Sequence, residues 1–172
     1  MIFRRKSFHI FRNVGNESIG EYELNDIQIA YSEFTPLNPE IKTAIRIIPE
    51  KETNCRRGGE YCILLYSEKK DGYLQNIGYL GEQLDLYLVS RNIGTLWFGI
   101  GKTNEEPFED MEFVIMFSIR KISDGSKYRK GSSGINMPNS SSFQYLEYSS
   151  VLKRESAVTV DIQGMITSVT RV

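Results

Sequence analysis

The basic, hydroxyl and imidazole side chains near the start of the chain are the first candidates for chemistry. Arg5, Lys6, Ser7 and His9 lie close together in the segment MIFRRKSFHIF, among several apolar residues. Charged and hydroxyl donors of this kind form short, strong hydrogen bonds to anions such as phosphate. Taken alone, however, the segment is typical of a solvated basic chain end.

Residues that could bind a metal or act as a nucleophile are few. The single histidine, His9, excludes a His-rich metal site and argues against a Ser-His-Asp triad. Cys55 and Cys62 are seven positions apart, which matches no common metal or redox motif. We therefore expect two reduced thiols in a cytoplasmic protein, no metal site and no catalytic side chain.

The middle of the chain predicts a strand–helix–strand unit that positions any such site. Residues 61–66 form a short apolar run, which is typical of a buried strand, and residues 95–100 form a second one. Between them, apolar residues recur at helical spacing over residues 73–92. We expect Asp71 to be the N-cap of this helix and Gly94 to be the left-handed residue that follows its end.

The polar and glycine positions of this helix carry two further expectations. The residues assigned to its solvent side include Gln75, Asn76, Glu82 and Asp85. Gly78 and Gly81 each lower helix stability by roughly 1 kcal/mol relative to alanine. Close approach of a second helix is the usual compensation, and the simplest second helix is the same one in another copy, which predicts a homodimer.

The rest of the chain completes one core and a tail. The pattern predicts a helix over residues 22–34, strands over 42–48 and 113–122, and a hairpin formed by 157–162 and 165–172 around Gln163-Gly164. Residues 124–142 are rich in Gly, Ser, Asn and Lys, which is typical of a linker. We therefore predict a core over residues 1–122 and a linker with a C-terminal tail over residues 123–172.

The bulk properties are those of an ordinary globular protein. The chain has 172 residues, of which 40% are hydrophobic and 25% are charged, with a formal net charge of −1. A nearly neutral surface predicts neither a nucleic-acid partner nor a membrane partner. No apolar run reaches the roughly 18 residues of a membrane-spanning helix, and no apolar stretch of a signal peptide follows the basic N-terminus.

The central helix and the strand after it resemble the FMN-dependent nitroreductase superfamily. Members carry a Gly-x-x-x-Glu-x-x-x-Leu-like helix that ends in a Gly-(Leu/Ile)-Gly-Thr-x-Trp-x-Gly-like turn. The matching residues here are Gly78, Glu82, Leu86, Gly94, Thr95, Trp97 and Gly99. The resemblance implies an α+β, three-layer fold in which helices flank a central mixed β-sheet.

The same resemblance implies where FMN would bind. Members begin with an Arg-Arg-Ser-x-Arg-like segment that binds the FMN phosphate, and Arg5, Lys6, Ser7 and His9 stand at the corresponding positions. The turn formed by Trp97, Phe98 and Gly99 would place the flavin ring. His9 replaces a permanent cation, so its charge near neutral pH depends on conditions.

One loop departs from the pattern of the superfamily. Many members have a Ser- and Asn-containing loop that ends in Gln-Pro-Trp and contacts the flavin ring. Residues 35–39 read Thr-Pro-Leu-Asn-Pro, in which Asn38 is the one residue in common. Two functions therefore remain open. One is an FMN-dependent oxidoreductase that passes electrons from NAD(P)H to a nitroaromatic, quinone or similar acceptor. The other is a degenerate nitroreductase-fold homodimer that binds flavin or another ligand without redox turnover.

Overall fold

Two α-helices and four strands, with a 3-10 turn (Glu50–Glu52) after the first strand, make up residues 5–123. They are α1 (Glu21–Glu33), β1 (Thr43–Pro49), β2 (Tyr61–Ser67), α2 (Tyr73–Ser90), β3 (Ile93–Phe98) and β4 (Glu112–Lys121). The computed structural model describes residues 5–123 and the backbone of residues 156–160 and 166–171. These six elements confirm the helices and strands predicted for this region, because apolar periodicity reports directly on one-sided burial.

The four strands form one sheet with the order β1-β2-β4-β3. Each neighbouring pair is antiparallel, so β2 and β3 run in the same direction with β4 between them. The predicted strand–helix–strand unit is therefore a split βαβ unit. The mixed sheet is not confirmed, because the parallel pairing among the described residues is an isolated bridge between Ser7 and Thr95.

Both helices pack on the same face of this sheet. Ile27 of α1 and Leu84 of α2 belong to one buried cluster with Ile63 of β2 and Phe117 of β4. In each strand these residues alternate with others whose side chains point to the opposite face. The apolar stripes of α1 and α2 thus cover a single face of the sheet.

Loops, rather than a second helical layer, cover the opposite face within residues 5–123. Leu64 and Met116 point to this side and form a buried cluster with Ile48, and Phe108 packs against that cluster from the loop between β3 and β4. The described part of the chain is an α+β fold with helices on one face. The three-layer arrangement implied by the resemblance is therefore not confirmed.

The ends of α2 differ from the expectation. The N-cap is Gly72, which has φ 79°, whereas Asp71 is exposed in the preceding turn. At the other end Asn92, with φ 58°, takes the left-handed conformation that was predicted for Gly94. Gly94 lies within β3, where a Cβ atom would come within 2.8 Å of the Phe8 ring. Tight packing, not backbone conformation, therefore explains this glycine.

The chain divides into two compact units, residues 1–131 and residues 132–172. Within the second unit, β5 (Ser156–Val160) and β6 (Ile166–Arg171) pair antiparallel. Most of the predicted linker lies outside the described residues. Among the described residues, no helix is long and apolar enough to cross a membrane.

Candidate functional site

The N-terminal segment lies along the outer edge of β3. Ser7 forms a parallel bridge with Thr95, and the backbone N–H of Phe8 donates to the carbonyl oxygen of Thr95 at 3.1 Å. The rings of Phe8 and Phe11 stack at 5.1 Å and are buried beside Leu96. This packing holds the basic residues just before Phe8 next to β3.

One buried carboxylate joins the N-terminal segment to β3. Asp85 of α2 has no exposed surface. Its Oδ2 atom accepts hydrogen bonds from Arg5 Nε at 2.7 Å and from Trp97 Nε1 at 2.9 Å. Its Oδ1 atom accepts a hydrogen bond from the Thr95 hydroxyl at 2.5 Å. A buried carboxylate is stable only with such donors, so we name Asp85, Arg5, Thr95 and Trp97 the Asp85 junction.

Asp85 was predicted to lie on the solvent side of α2, and that prediction is wrong. Asn76 was assigned to the same side and is also buried, where its side-chain oxygen accepts the backbone N–H of Asn38 at 2.9 Å. Glu82 is exposed as predicted and lies 3.6 Å from Arg5 Nε. Residue type alone could not identify the buried pair, because their partners come from distant segments.

The indole ring of Trp97 also explains Gly81. A Cβ atom at position 81 would come within 2.8 Å of Trp97 Cη2 and within 3.0 Å of Phe117 Cζ. The two aromatic rings lie against each other, with centroids 4.3 Å apart. The close approach predicted for Gly81 is therefore made by side chains of its own chain and not by a second helix. At Gly78 a Cβ atom would meet no heavy atom within 4 Å.

The predicted cofactor-binding residues divide into two groups. Arg5 and Trp97 belong to the Asp85 junction, and Ser7 lies beside it, where it forms the bridge to Thr95. Lys6 is exposed beside them, with its Nζ atom 5.3 Å from the centre of the Phe8 ring.

The remaining three predicted residues lie apart from the junction. His9 is exposed in a bend beyond the bridge. The Phe98 side chain is buried on the loop-covered face of the sheet. Gly99 is exposed in the turn after β3, with open space where a side chain would be.

The outer edge of β3 presents backbone groups as well. The hydrogen bond from Phe8 shows that the peptide groups of Thr95 point away from β4. Since peptide groups alternate in direction along a strand, those of Trp97 point to the same edge. A planar ligand beside this edge could therefore receive a hydrogen bond from the Trp97 backbone N–H.

A second polar cluster lies beneath the loop-covered face. Glu50, Cys55 and Cys62 are buried, and their potential ligand atoms all lie within 4.8 Å of one another. Both cysteines are free, as predicted. Burial, together with the nearby Glu50 carboxylate, raises the pKa of Cys55 to about 11. Burial likewise raises the pKa of Cys62 to about 12. The spacing of the two cysteines gave no signal for this cluster, because Glu50 is brought to them by the 3-10 turn and loop between β1 and β2.

Comparison with known protein families shows to which family the chain belongs. Residues 1–142 match the family described as "Putative TM nitroreductase". The chain belongs to this family. The resemblance seen in the central helix and the following strand is thereby confirmed, and the family description indicates an oxidoreductase. The match extends past residue 122, where the core was predicted to end. No curated protein matches the chain.

Arg5, Lys6 and Ser7, at the edge of the Asp85 junction, are donors that could bind the phosphate of a flavin nucleotide. Within residues 5–123 the ion pairs of Arg5 run through its Nε atom, and a guanidinium carries further N–H donors for an anion. Lys6 and Ser7 are exposed next to it. The Trp97 indole N–H is already bound to Asp85, so contacts to a flavin ring would come from the backbone of β3 and its turn. Phe98 does not fit the predicted ring contact, because its side chain faces away.

Proposed function

We propose that the protein is an FMN-dependent oxidoreductase that passes electrons from NAD(P)H to a nitroaromatic, quinone or similar acceptor. Membership of a nitroreductase family supports the reaction class. The main support for FMN as the cofactor is the Asp85 junction, at which Arg5 and Trp97 donate to the same carboxylate oxygen. The residue predicted to bind the phosphate and the residue predicted to flank the ring are thus held side by side.

In this proposal the protein binds and orients, and FMN supplies the redox chemistry when bound. Arg5, Lys6 and Ser7 donate to the phosphate. The backbone of the Trp97–Gly99 segment would hold the flavin ring, and Gly99 leaves room there for a flat ligand. Asp85 fixes the direction of Arg5 and the plane of Trp97, so it positions groups without touching the reacting atoms.

We also propose that the protein is a cytoplasmic homodimer with the flavin between its subunits. Gly81 no longer supports this interface, because its neighbours belong to its own chain. The support that remains is the outer face of α2, on which Leu74 and Tyr79 are 56% and 48% exposed. Gly78 lies between them with open space around it. Light scattering at micromolar concentration tests the interface, and Tyr79→Lys should shift the protein toward monomer.

The second candidate function is a family member that binds flavin, or another ligand, without redox turnover. The observation that favours it is the loop formed by residues 35–39, which lacks Gln-Pro-Trp. Its Asn38 is held by two hydrogen bonds, because its backbone N–H donates to the side-chain oxygen of Asn76 and its own side-chain oxygen accepts the N–H of Glu40 at 3.0 Å. These bonds hold the one residue shared with the flavin-contacting loop.

Titration of the purified protein with FMN tests the cofactor assignment. We expect Arg5→Ala and Lys6→Ala each to weaken binding by about 1.5–3 kcal/mol, the range for a hydrogen bond to a charged group. Lys6 has no ion pair among the described contacts, so its variant isolates the phosphate contact from effects on Asp85. Arg12→Ala is the matched control, because Arg12 is an exposed cation of the same segment. Equal FMN affinity in all four proteins would disprove the phosphate site.

Steady-state oxidation of NADH and NADPH then separates the two functions. The flavin-loaded protein should oxidise one of them, and adding a nitroaromatic or quinone acceptor should raise the rate. Tight FMN binding with no oxidation of either nucleotide would support the binding function instead.

A further inference from the structure

The Glu50–Cys55–Cys62 cluster has the composition of a small metal site. The three residues are 7%, 0% and 0% exposed, and one ligand atom from each lies within 4.8 Å of the other two. They come from three parts of the fold: Glu50 from the 3-10 turn Glu50–Glu52, Cys55 from the loop after it, and Cys62 from strand β2. The fold therefore brings two sulfur ligands and one oxygen ligand to a single buried point.

The Glu50 carboxylate is held in place by neutral donors. Its Oε1 atom accepts the Ser118 hydroxyl at 2.8 Å and the Arg57 backbone N–H at 3.2 Å. Its Oε2 atom accepts the Gly58 backbone N–H at 3.1 Å. The Gly58 N–H takes one of the two lone pairs of Oε2. Bonds of this kind orient a metal-binding carboxylate and fix its geometry.

The charge of this cluster favours a cation. The hydrogen-bond partners of the carboxylate are the Ser118 hydroxyl, two backbone amides and the Cys55 thiol, none of which is charged. The guanidinium of Arg56 donates instead to the backbone carbonyls of Glu50, Thr53 and Cys55. Burying a carboxylate without a positive partner is unfavourable, and a bound divalent ion would compensate it.

From this arrangement we infer a structural site for Zn²⁺ or a similar thiophilic divalent cation, formed by Glu50, Cys55 and Cys62. Two thiolates and a carboxylate are ligands that Zn²⁺ commonly binds. Binding forms two metal–sulfur bonds and one metal–oxygen bond, and each thiol releases its proton to solvent. The Thr53 hydroxyl lies 3.6 Å from Cys62 Sγ. The ion would link the 3-10 turn to strand β2.

The inference does not depend on flavin, and Co²⁺ provides the direct probe. We expect the full chain, freshly reduced and stripped of metal, to bind one Co²⁺ with a sulfur-to-cobalt charge-transfer band and tetrahedral visible bands. Added Zn²⁺ should remove these bands by displacement. Cys55→Ser and Cys62→Ser should each weaken or abolish the charge-transfer band. The matched control is Glu52→Gln, which changes an exposed carboxylate two residues from Glu50 and should leave the spectrum unchanged.

A second measurement needs no variant and protects against misfolding of the serine proteins. Thermal unfolding of the unmodified chain should shift upward by several degrees when Zn²⁺ replaces a chelator, because the ion binds the folded state preferentially. Two outcomes would overturn the inference. One is a protein that shows neither a charge-transfer band nor a thermal shift, although thiol titration of its unfolded chain finds two free cysteines. The other is a band that persists unchanged in Cys62→Ser, which would place the cobalt elsewhere.

Discussion

Two glycines in one helix make a matched test of where α2 packs tightly. Gly78 and Gly81 are both in the interior of α2, so alanine should improve helix propensity by about 0.5–1 kcal/mol at either position. Their surroundings differ completely. A Cβ atom at Gly78 meets nothing within 4 Å, whereas one at Gly81 comes within 2.8 Å of the Trp97 ring and 3.0 Å of the Phe117 ring.

Neither ring can move away from Gly81 easily. Trp97 is held by its hydrogen bond to Asp85 and by its contact with Phe117. Overpacking of a rigid site costs about 1–3 kcal/mol. We therefore expect Gly78→Ala to stabilise the protein by up to about 1 kcal/mol. Gly81→Ala should be less stable than Gly78→Ala by about 1–3 kcal/mol.

Urea unfolding followed by the fluorescence of Trp97, the one tryptophan of the chain, measures both variants. The effect of Gly81→Ala should not depend on protein concentration, since the contacts of Gly81 lie within one chain. If Gly81→Ala is as stabilising as Gly78→Ala, the packing argument is wrong. If its effect grows or shrinks with concentration, a second copy contacts this part of the helix after all.

Three further predictions follow from buried or paired groups. Asp85→Ala should destabilise the protein by about 3–5 kcal/mol, because a buried charge partner is lost. Burial alone raises the pKa of Glu23, but the hydrogen bond and charge of Lys121 outweigh it, so the net pKa is lowered. Glu23→Gln should therefore cost about 0.5–1 kcal/mol at neutral pH, and the difference should shrink as the pH falls below the ordinary glutamate pKa of 4.5. Alkylation of Cys55 and Cys62 at pH 8 should be more than about 100-fold slower in the folded than in the unfolded protein.

Each of these predictions has its own control. Glu82→Ala removes an exposed carboxylate near the same guanidinium and should cost less than about 1 kcal/mol, so equal losses at positions 82 and 85 would contradict the buried junction. For Glu23 the linkage has a definite sign: a lowered pKa stabilises above the pKa of the unfolded state, and the effect is lost as pH falls. A constant difference down to pH 3 would contradict it. Rapid alkylation of either cysteine in the folded protein would show that the loop over the cluster opens readily.

The helices and strands of residues 5–123 could be predicted because their signals are local. The period of apolar residues in β2 and α2 reports one-sided or two-sided burial within a few residues of chain. The family could also be recognised, since its motif lies within one helix and one strand. Helix ends were less predictable: Gly72 and Asn92 replaced Asp71 and Gly94, because several nearby residues could adopt the required conformations.

From the sequence we could predict the elements of residues 5–123, the family and the set of basic residues near the start of the chain. The burial of Asp85, the space that Gly81 leaves for Trp97 and the position of Glu50 beside two cysteines emerge only from the folded structure. In each case the partners belong to different elements of the fold. Thr95 and Arg5 are 10 and 80 residues from Asp85 in the chain, while Cys62 of β2 meets Glu50 only through the loop between them. No local pattern shows which donor will satisfy a polar side chain or which ring will pack against a glycine. Burial of a charge is decided by the groups that the fold brings to it.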